Sequence, residues 1–74
     1  MGVQDWRQRI ACDAGVHHGE PCIRGTRVSV SVIVGSLADL PMDELLKEYP
    51  QLTRDDVKAA LLYAAEAAHS TLVA

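Results

Sequence analysis

Phenylalanine is absent from the 74-residue chain, and Trp6, Tyr49 and Tyr63 are its only aromatic residues. A core without large rings must be closed by Leu, Ile, Val and Ala, which dominate the 49% hydrophobic content. No apolar run approaches the roughly 20 residues that a membrane-spanning helix needs. The opening "MGVQDWRQRI" has no apolar h-region, which argues against a secretory signal. Trp6 stands where a myristoylation motif wants Ser or Thr. The expectation is a soluble, cytoplasmic protein with no membrane partner and with Cys12 and Cys22 reduced.

A basic excess is missing as well. Residues 1–37 carry four arginines against three carboxylates, a net +1, and residues 38–74 carry three cations against seven carboxylates, a net −4. The pI of about 5.4 lies far below the value of about 9 that marks a dedicated nucleic-acid binder. Any nucleic-acid contact must come from a local patch, doubled by dimerisation.

The residue patterns of catalysis are lacking too. Ser29, Ser31 and Ser36 have no histidine at a meaningful spacing. Asp43-Glu44 and Asp55-Asp56 fit first-turn helix charges better than acid/base pairs. The chain is also too short to wall off a sizeable cavity. An enzyme, a small-molecule substrate and a cofactor are therefore not expected. Cys12, His17, His18 and Cys22 are the right residue types for zinc. Their spacing is unlike the usual knuckles, so no metal site is expected. A Cys12–Cys22 disulfide is conceivable across a hairpin but disfavoured in a reducing compartment.

The organisation is simple, with no linker, repeat or low-complexity segment. Residues 1–8 read as a frayed lead-in and residues 9–74 as one domain. Such a small chain buries only roughly 60% of its unfolded surface, and oligomerisation commonly adds to that. "RIACD" (Arg9 to Asp13) alternates with Ile10 and Cys12 on one face, fitting a short strand. "PCIR" (Pro21 to Arg24) can form its partner, which places a hairpin between about residues 9 and 24. Gly25 can take positive φ and turn the chain before Val28.

Val30, Ile33, Val34 and Leu37 then share one helical face, with Ser29 as N-cap. Asp39-Leu40-Pro41 interrupts, and Pro41 suits the first turn of a second helix. Met42, Leu45, Leu46 and Tyr49 repeat the spacing until Pro50 stops it. Thr53 caps the third helix, Asp56 completes a capping box, and Leu52 and Val57 form a hydrophobic staple. That helix is expected from Arg54 to about Ser70. The fold class is thus mostly α, with a homeodomain-like helix-turn-helix core of three helices behind a short β-hairpin.

Helix three is apolar nearly all round. Val57, Ala60, Leu61, Ala64 and Ala68 read as its inner side, and Leu62, Tyr63 and Ala67 as another side. A helix of this kind is buried on more than one side, so Leu62, Tyr63, Leu72 and Val73 are expected at a protein–protein contact. Gln51, Arg54 and Lys58 sit where a recognition helix would offer donors to DNA. Arg24 and Arg27 flank Gly25-Thr26. They are assisting DNA-contact candidates if they form a basic arm; otherwise they flank a tight bend and pair with local carboxylates such as Asp13 or Glu20.

"HGEPCIRGTRVSVSVIVGSLAD" and "LLKEYPQLTRDDVKAALLYAA" together resemble the bacterial domain-of-unknown-function 433 family. The likeness covers roughly Arg9 to Ala65. It rests on His18-Gly19 with Pro21, the run Ile23 to Arg27 containing Gly25 and Thr26, Glu48-Tyr49-Pro50, and Leu52-Thr53 before Asp56-Val57. The resemblance implies a VapB-type antitoxin of a toxin–antitoxin pair, homodimeric, with a PIN-like ribonuclease toxin as partner and operator DNA as a further ligand through autorepression. It also favours the bend over the arm for residues 24–27. Where relatives usually carry Gly and Ser between helices one and two, Leu40-Pro41 stands and the connection is shorter. The chain ends just past helix three, so toxin contact is expected on the folded surface. The alternative is a protein-interaction module without DNA binding.

Overall fold

A computed structural model describes residues 5–12 and 19–73, with side chains as far as residue 69. A 3-10 turn (Trp6–Arg9) leads into β1 (Ile10–Ala11), which pairs antiparallel with β2 (Cys22–Ile23) in the register Ile10↔Ile23 and Ala11↔Cys22. Three helices follow: α1 (Val30–Ser36), α2 (Met42–Glu48) and α3 (Arg54–Val73). The mostly helical architecture with a two-stranded N-terminal sheet matches the sequence reading.

The core is aliphatic, as the missing phenylalanine requires. Its four large, fully buried side chains are Ile23, Ile33, Leu45 and Val57, one each from β2, α1, α2 and α3. Val34, Leu37, Met42, Leu46 and Tyr49 pack half-buried around them, on the helix faces their spacing indicated. Each helix therefore hangs on one dominant anchor.

Local signals account for the helix ends. The Ser29 side chain accepts from Val32 N–H and caps α1. Pro41 is the N-cap of α2 rather than its first helical residue, and it has no side-chain bond there. Tyr49 precedes Pro50 and ends α2, a position where the following ring disfavours helical backbone. At α3 the capping box is reciprocal: Asp56 N–H donates to Thr53 Oγ1 at 3.2 Å, and Thr53 N–H donates to Asp56 Oδ2 at 3.0 Å. Leu52 and Val57 are both buried beside it, as a staple demands.

Asp56 has a second task that the sequence did not announce. Its other oxygen, Oδ1, accepts from Arg9 Nη1 at 2.9 Å, and the residue is only 7% exposed. Arg7 pairs with Glu66 further along α3, and Arg7 also stacks over the Trp6 ring. The expected lead-in is thus, over residues 6–9, a turn clamped on α3, with Trp6 packed against the core. Apolar periodicity could not show this, because charged side chains make the attachment.

Two strand expectations are corrected. β1 stops at Ala11, and Cys12 is exposed rather than sharing the buried face of Ile10. In addition, residues 21–30 fold back on themselves: Ile23 N–H donates to Val28 O and Val30 N–H to Pro21 O, both at 2.9 Å. β2 is therefore flanked by β1 on one side and by Ser29 on the other.

Removing a fully buried leucine leaves a cavity that so small a core cannot refill. Leu45→Ala is expected to lower unfolding free energy by about 2–5 kcal/mol in urea denaturation. Thr53→Ala should cost about 1 kcal/mol through the lost cap. Asp56→Ala, which removes the cap and the shorter of Arg9's two ion pairs with α3, should cost about 2–3 kcal/mol. Equal losses for Thr53→Ala and Asp56→Ala would show that the Arg9 contact adds nothing.

Candidate functional site

The residues singled out for function fall on three surfaces. The first is the segment joining α2 to α3. Gln51 is exposed in the turn, Arg54 opens α3, and Lys58 follows one helical turn later on the same face. Arg54 is turned back toward α2, donating to Met42 Sδ at 3.2 Å and pairing with Asp43. Lys58 has no ion pair among the described residues. Asp43 brings negative charge to this surface, while Glu44 pairs with Lys47 and Asp55 with Arg9. Phosphate approaching here meets one engaged cation and one open cation, with carboxylates in the first turns of both helices.

The second surface is the bend Arg24–Arg27, where the structure supports the turn reading. Gly25 has φ +84° and Arg27 φ +64°, so the left-handed backbone expected only of Gly25 is shared with an arginine. Thr26 closes the bend: its N–H and Oγ1 both donate to Ile23 O, at 3.1 and 2.9 Å. Its Oγ1 also accepts from Val28 N–H at 3.0 Å. Arg24 does not pair with Glu20, whose carboxylate instead accepts from Ser31 Oγ. Asp13 lies outside the described residues. Arg24 Nε donates to Gln8 O at 2.8 Å and Nη2 to Ile10 O at 3.2 Å. Carbonyls hold this guanidinium in place without neutralising it.

The bend borders an open cavity of about 350 Å³, lined by Ala11, Cys22, Ile23 and residues 24–27. Among the described residues its lining contains two arginines and no carboxylate. Nothing in the apolar periodicity could have placed a cavity here, because it depends on β1 meeting a turn about a dozen residues away.

The third surface is the outer face of α3. Leu61 and Leu62 are 40% and 46% exposed, and Ala65 and Ala68 are exposed with them. Three expectations are corrected. Leu61 and Ala68, read as inner residues, are exposed. Tyr63, read as an interface residue, is half-buried against the core. The buried stripe is Asp56, Val57, Ala59 and Ala60, because Asp56 is drawn inward by Thr53 and Arg9 and sets the rotation of the helix. Leu72 and Val73 lie within α3, but their side chains are outside the described residues.

The remaining motif residues hold the fold. Gly19 has φ +85°, the Pro21 carbonyl accepts from Val30, Pro50 sits in the α2–α3 turn, and Thr53 caps α3. Of the four residues weighed as zinc ligands, His17 and His18 lie outside the described residues. Among those described, no group of three or more His, Cys, Asp or Glu is arranged to hold a metal. No helix among them is long and apolar enough to cross a membrane.

A family model described as "Protein of unknown function (DUF433)" matches residues 10–64. The chain belongs to the domain-of-unknown-function 433 family. The match includes the sheet, the Arg24–Arg27 bend, α1, α2 and the first half of α3. It omits both halves of the Arg7–Glu66 clamp. A crystal structure of a family member from Anabaena variabilis, at 2.00 Å resolution, is 35% identical with a TM-score of 0.76. The alignment covers 84% of this chain and 62% of that chain, so this domain-of-unknown-function 433 protein spans under two thirds of its length. No curated protein matches.

The cysteines differ in reactivity for a physical reason. Burial pushes the Cys22 thiol above its ordinary pKa, and the Glu20 carboxylate and then Cys12 add to the rise. Its Sγ is also bonded to Glu20 O at 3.3 Å. The thiolate is the nucleophile, so a raised pKa slows reaction at a given pH. Iodoacetamide on the folded protein near pH 8 should label exposed Cys12 at least tenfold faster than Cys22. Mass spectrometry after digestion reads the ratio, and unfolding in urea should abolish it.

Proposed function

We propose that this chain is the antitoxin-like member of a toxin–antitoxin pair. As a homodimer in the cytoplasm it binds a PIN-like ribonuclease toxin, and it contacts operator DNA through Gln51, Arg54 and Lys58. It acts by binding and not by catalysis. The observation that carries the reading is the outer face of α3, where Leu61 and Leu62 stand together in solvent with Ala65 and Ala68 beside them. Contiguous exposed apolar side chains of this kind mark protein–protein contact. The likeness of the family to VapB-type antitoxins supplies the class of partner.

A second reading, a protein-interaction module without DNA binding, is favoured by one observation. Arg54 is held by Asp43 and flanked by Asp55, which weakens the case for a phosphate-facing helix.

Leu62→Glu tests the first reading. The side chain is exposed, so the monomer should keep its melting temperature within a few degrees. In light scattering the mass should fall from a dimer to the 8.0 kDa of one chain, and capture of the product of the adjacent reading frame should weaken. A wild-type protein that is already monomeric and captures nothing would overturn the reading. For DNA, operator affinity should fall steeply between low and moderate salt through counterion release. Arg54→Ala with Lys58→Ala should weaken it about tenfold or more, and a flat titration would select the second reading.

A further inference from the structure

We propose that the cavity at the Arg24–Arg27 bend is a binding site for a phosphate group. It is distinct from the α2–α3 surface and independent of the toxin–antitoxin reading. A guanidinium carries five N–H donors in a fixed fork. Arg24 spends one on Gln8 O and one on Ile10 O, which leaves three.

The two bonds fix the orientation of the fork, and neither acceptor carries a formal charge. Glu20, the nearest acidic residue in sequence on this side, is turned to Ser31. The positive charge of Arg24 therefore has no carboxylate against it among the described residues. Arg27 adds a second cation to the lining, and its φ of +64° fixes the backbone from which that side chain leaves.

The backbone contributes as well. Of the bend's N–H groups, those of Arg24, Thr26 and Val28 are bonded to Arg9 O, Ile23 O and Thr26 Oγ1. The Gly25 N–H has no acceptor among the described residues, and a side chain added at Gly25 would meet nothing within 4 Å. The space beside the Gly25 Cα, where a side chain would stand, is open.

A volume of about 350 Å³ lies at the small end of ligand pockets, about 300–1,000 Å³. It suits a tetrahedral oxyanion with a small substituent. A phosphate offers several oxygens to a guanidinium fork and a backbone N–H together, and Arg–phosphate bonds are among the stronger hydrogen bonds in proteins. The chemistry is the same whether the group comes from a small phosphorylated molecule or from a nucleic-acid backbone.

The test is a ¹H–¹⁵N titration of the full chain with inorganic phosphate, with sodium chloride at matched ionic strength as control. Phosphate should shift the amides of Arg24, Gly25 and Thr26 saturably, and chloride should not. Arg24→Gln should weaken binding at least tenfold. Because Arg24 also ties down the Trp6–Arg9 turn, Arg27→Gly serves as the second variant. It keeps the left-handed backbone and removes the charge, and it should weaken binding several-fold while the amides of α1, α2 and α3 keep their positions.

A short duplex is the third arm. If it shifts the same amides and competes with phosphate, the group belongs to nucleic acid; if it leaves them unmoved while phosphate shifts them, it belongs to a small molecule. Either outcome upholds the site. No shift beyond the chloride control, or a shift unaffected by both substitutions, overturns it.

Discussion

Asp56 ties the sequence-local and the long-range parts of this protein together. Its N–H and one carboxylate oxygen close the capping box with Thr53 at the start of α3. Its other oxygen receives Arg9 from the turn that begins the described chain. A buried carboxylate is costly unless its lone pairs are occupied, and here they are occupied from two directions. That requirement fixes where α3 starts and how it is rotated. It also brings the N-terminal turn over the helix. The core of Ile23, Ile33, Leu45 and Val57 is then assembled beside a helix whose orientation polar groups have set.

Rotation decides which part of α3 the solvent meets. With Asp56 and Ala60 turned in, Leu61 and Leu62 must point away. The same long helix is thus both the floor of the core and the most apolar exposed face described. The Arg24–Arg27 bend supplies the opposite character, a cation held by neutral carbonyls at the mouth of a small cavity. Helix and bend together give the molecule one apolar exposed face and one cationic one.

Much of the architecture was legible in the residues. Ser29, Thr53 and Asp56 marked helix starts because capping is a matter of three or four consecutive residues. The spacing of Val30 and Ile33, or of Leu45 and Tyr49, marked faces for the same local reason. Reading Leu61 as core failed because a helix apolar on most sides offers no contrast from which to infer its rotation. Tyr63 was misplaced with it. Arg9 and Arg7 carried no signal, since their partners Asp56 and Glu66 are 47 and 59 residues away.

Composition, periodicity and capping chemistry by themselves determined an aliphatic core, a bend at Gly25 and three helices with their starts, but not the end of α3, which runs on to Val73, past the expected end near Ser70. The resemblance of the motifs between His18 and Val57 gave the family. These depend on neighbours along the chain, and a sequence records such neighbours directly. Tertiary structure alone decided that Arg24 would answer to Gln8 and Ile10, that Arg9 would reach Asp56, that a cavity would open between β1 and the bend, and which leucines would be left outside. Each of those depends on which distant atoms meet, and that is settled only when polar groups find partners and the core closes.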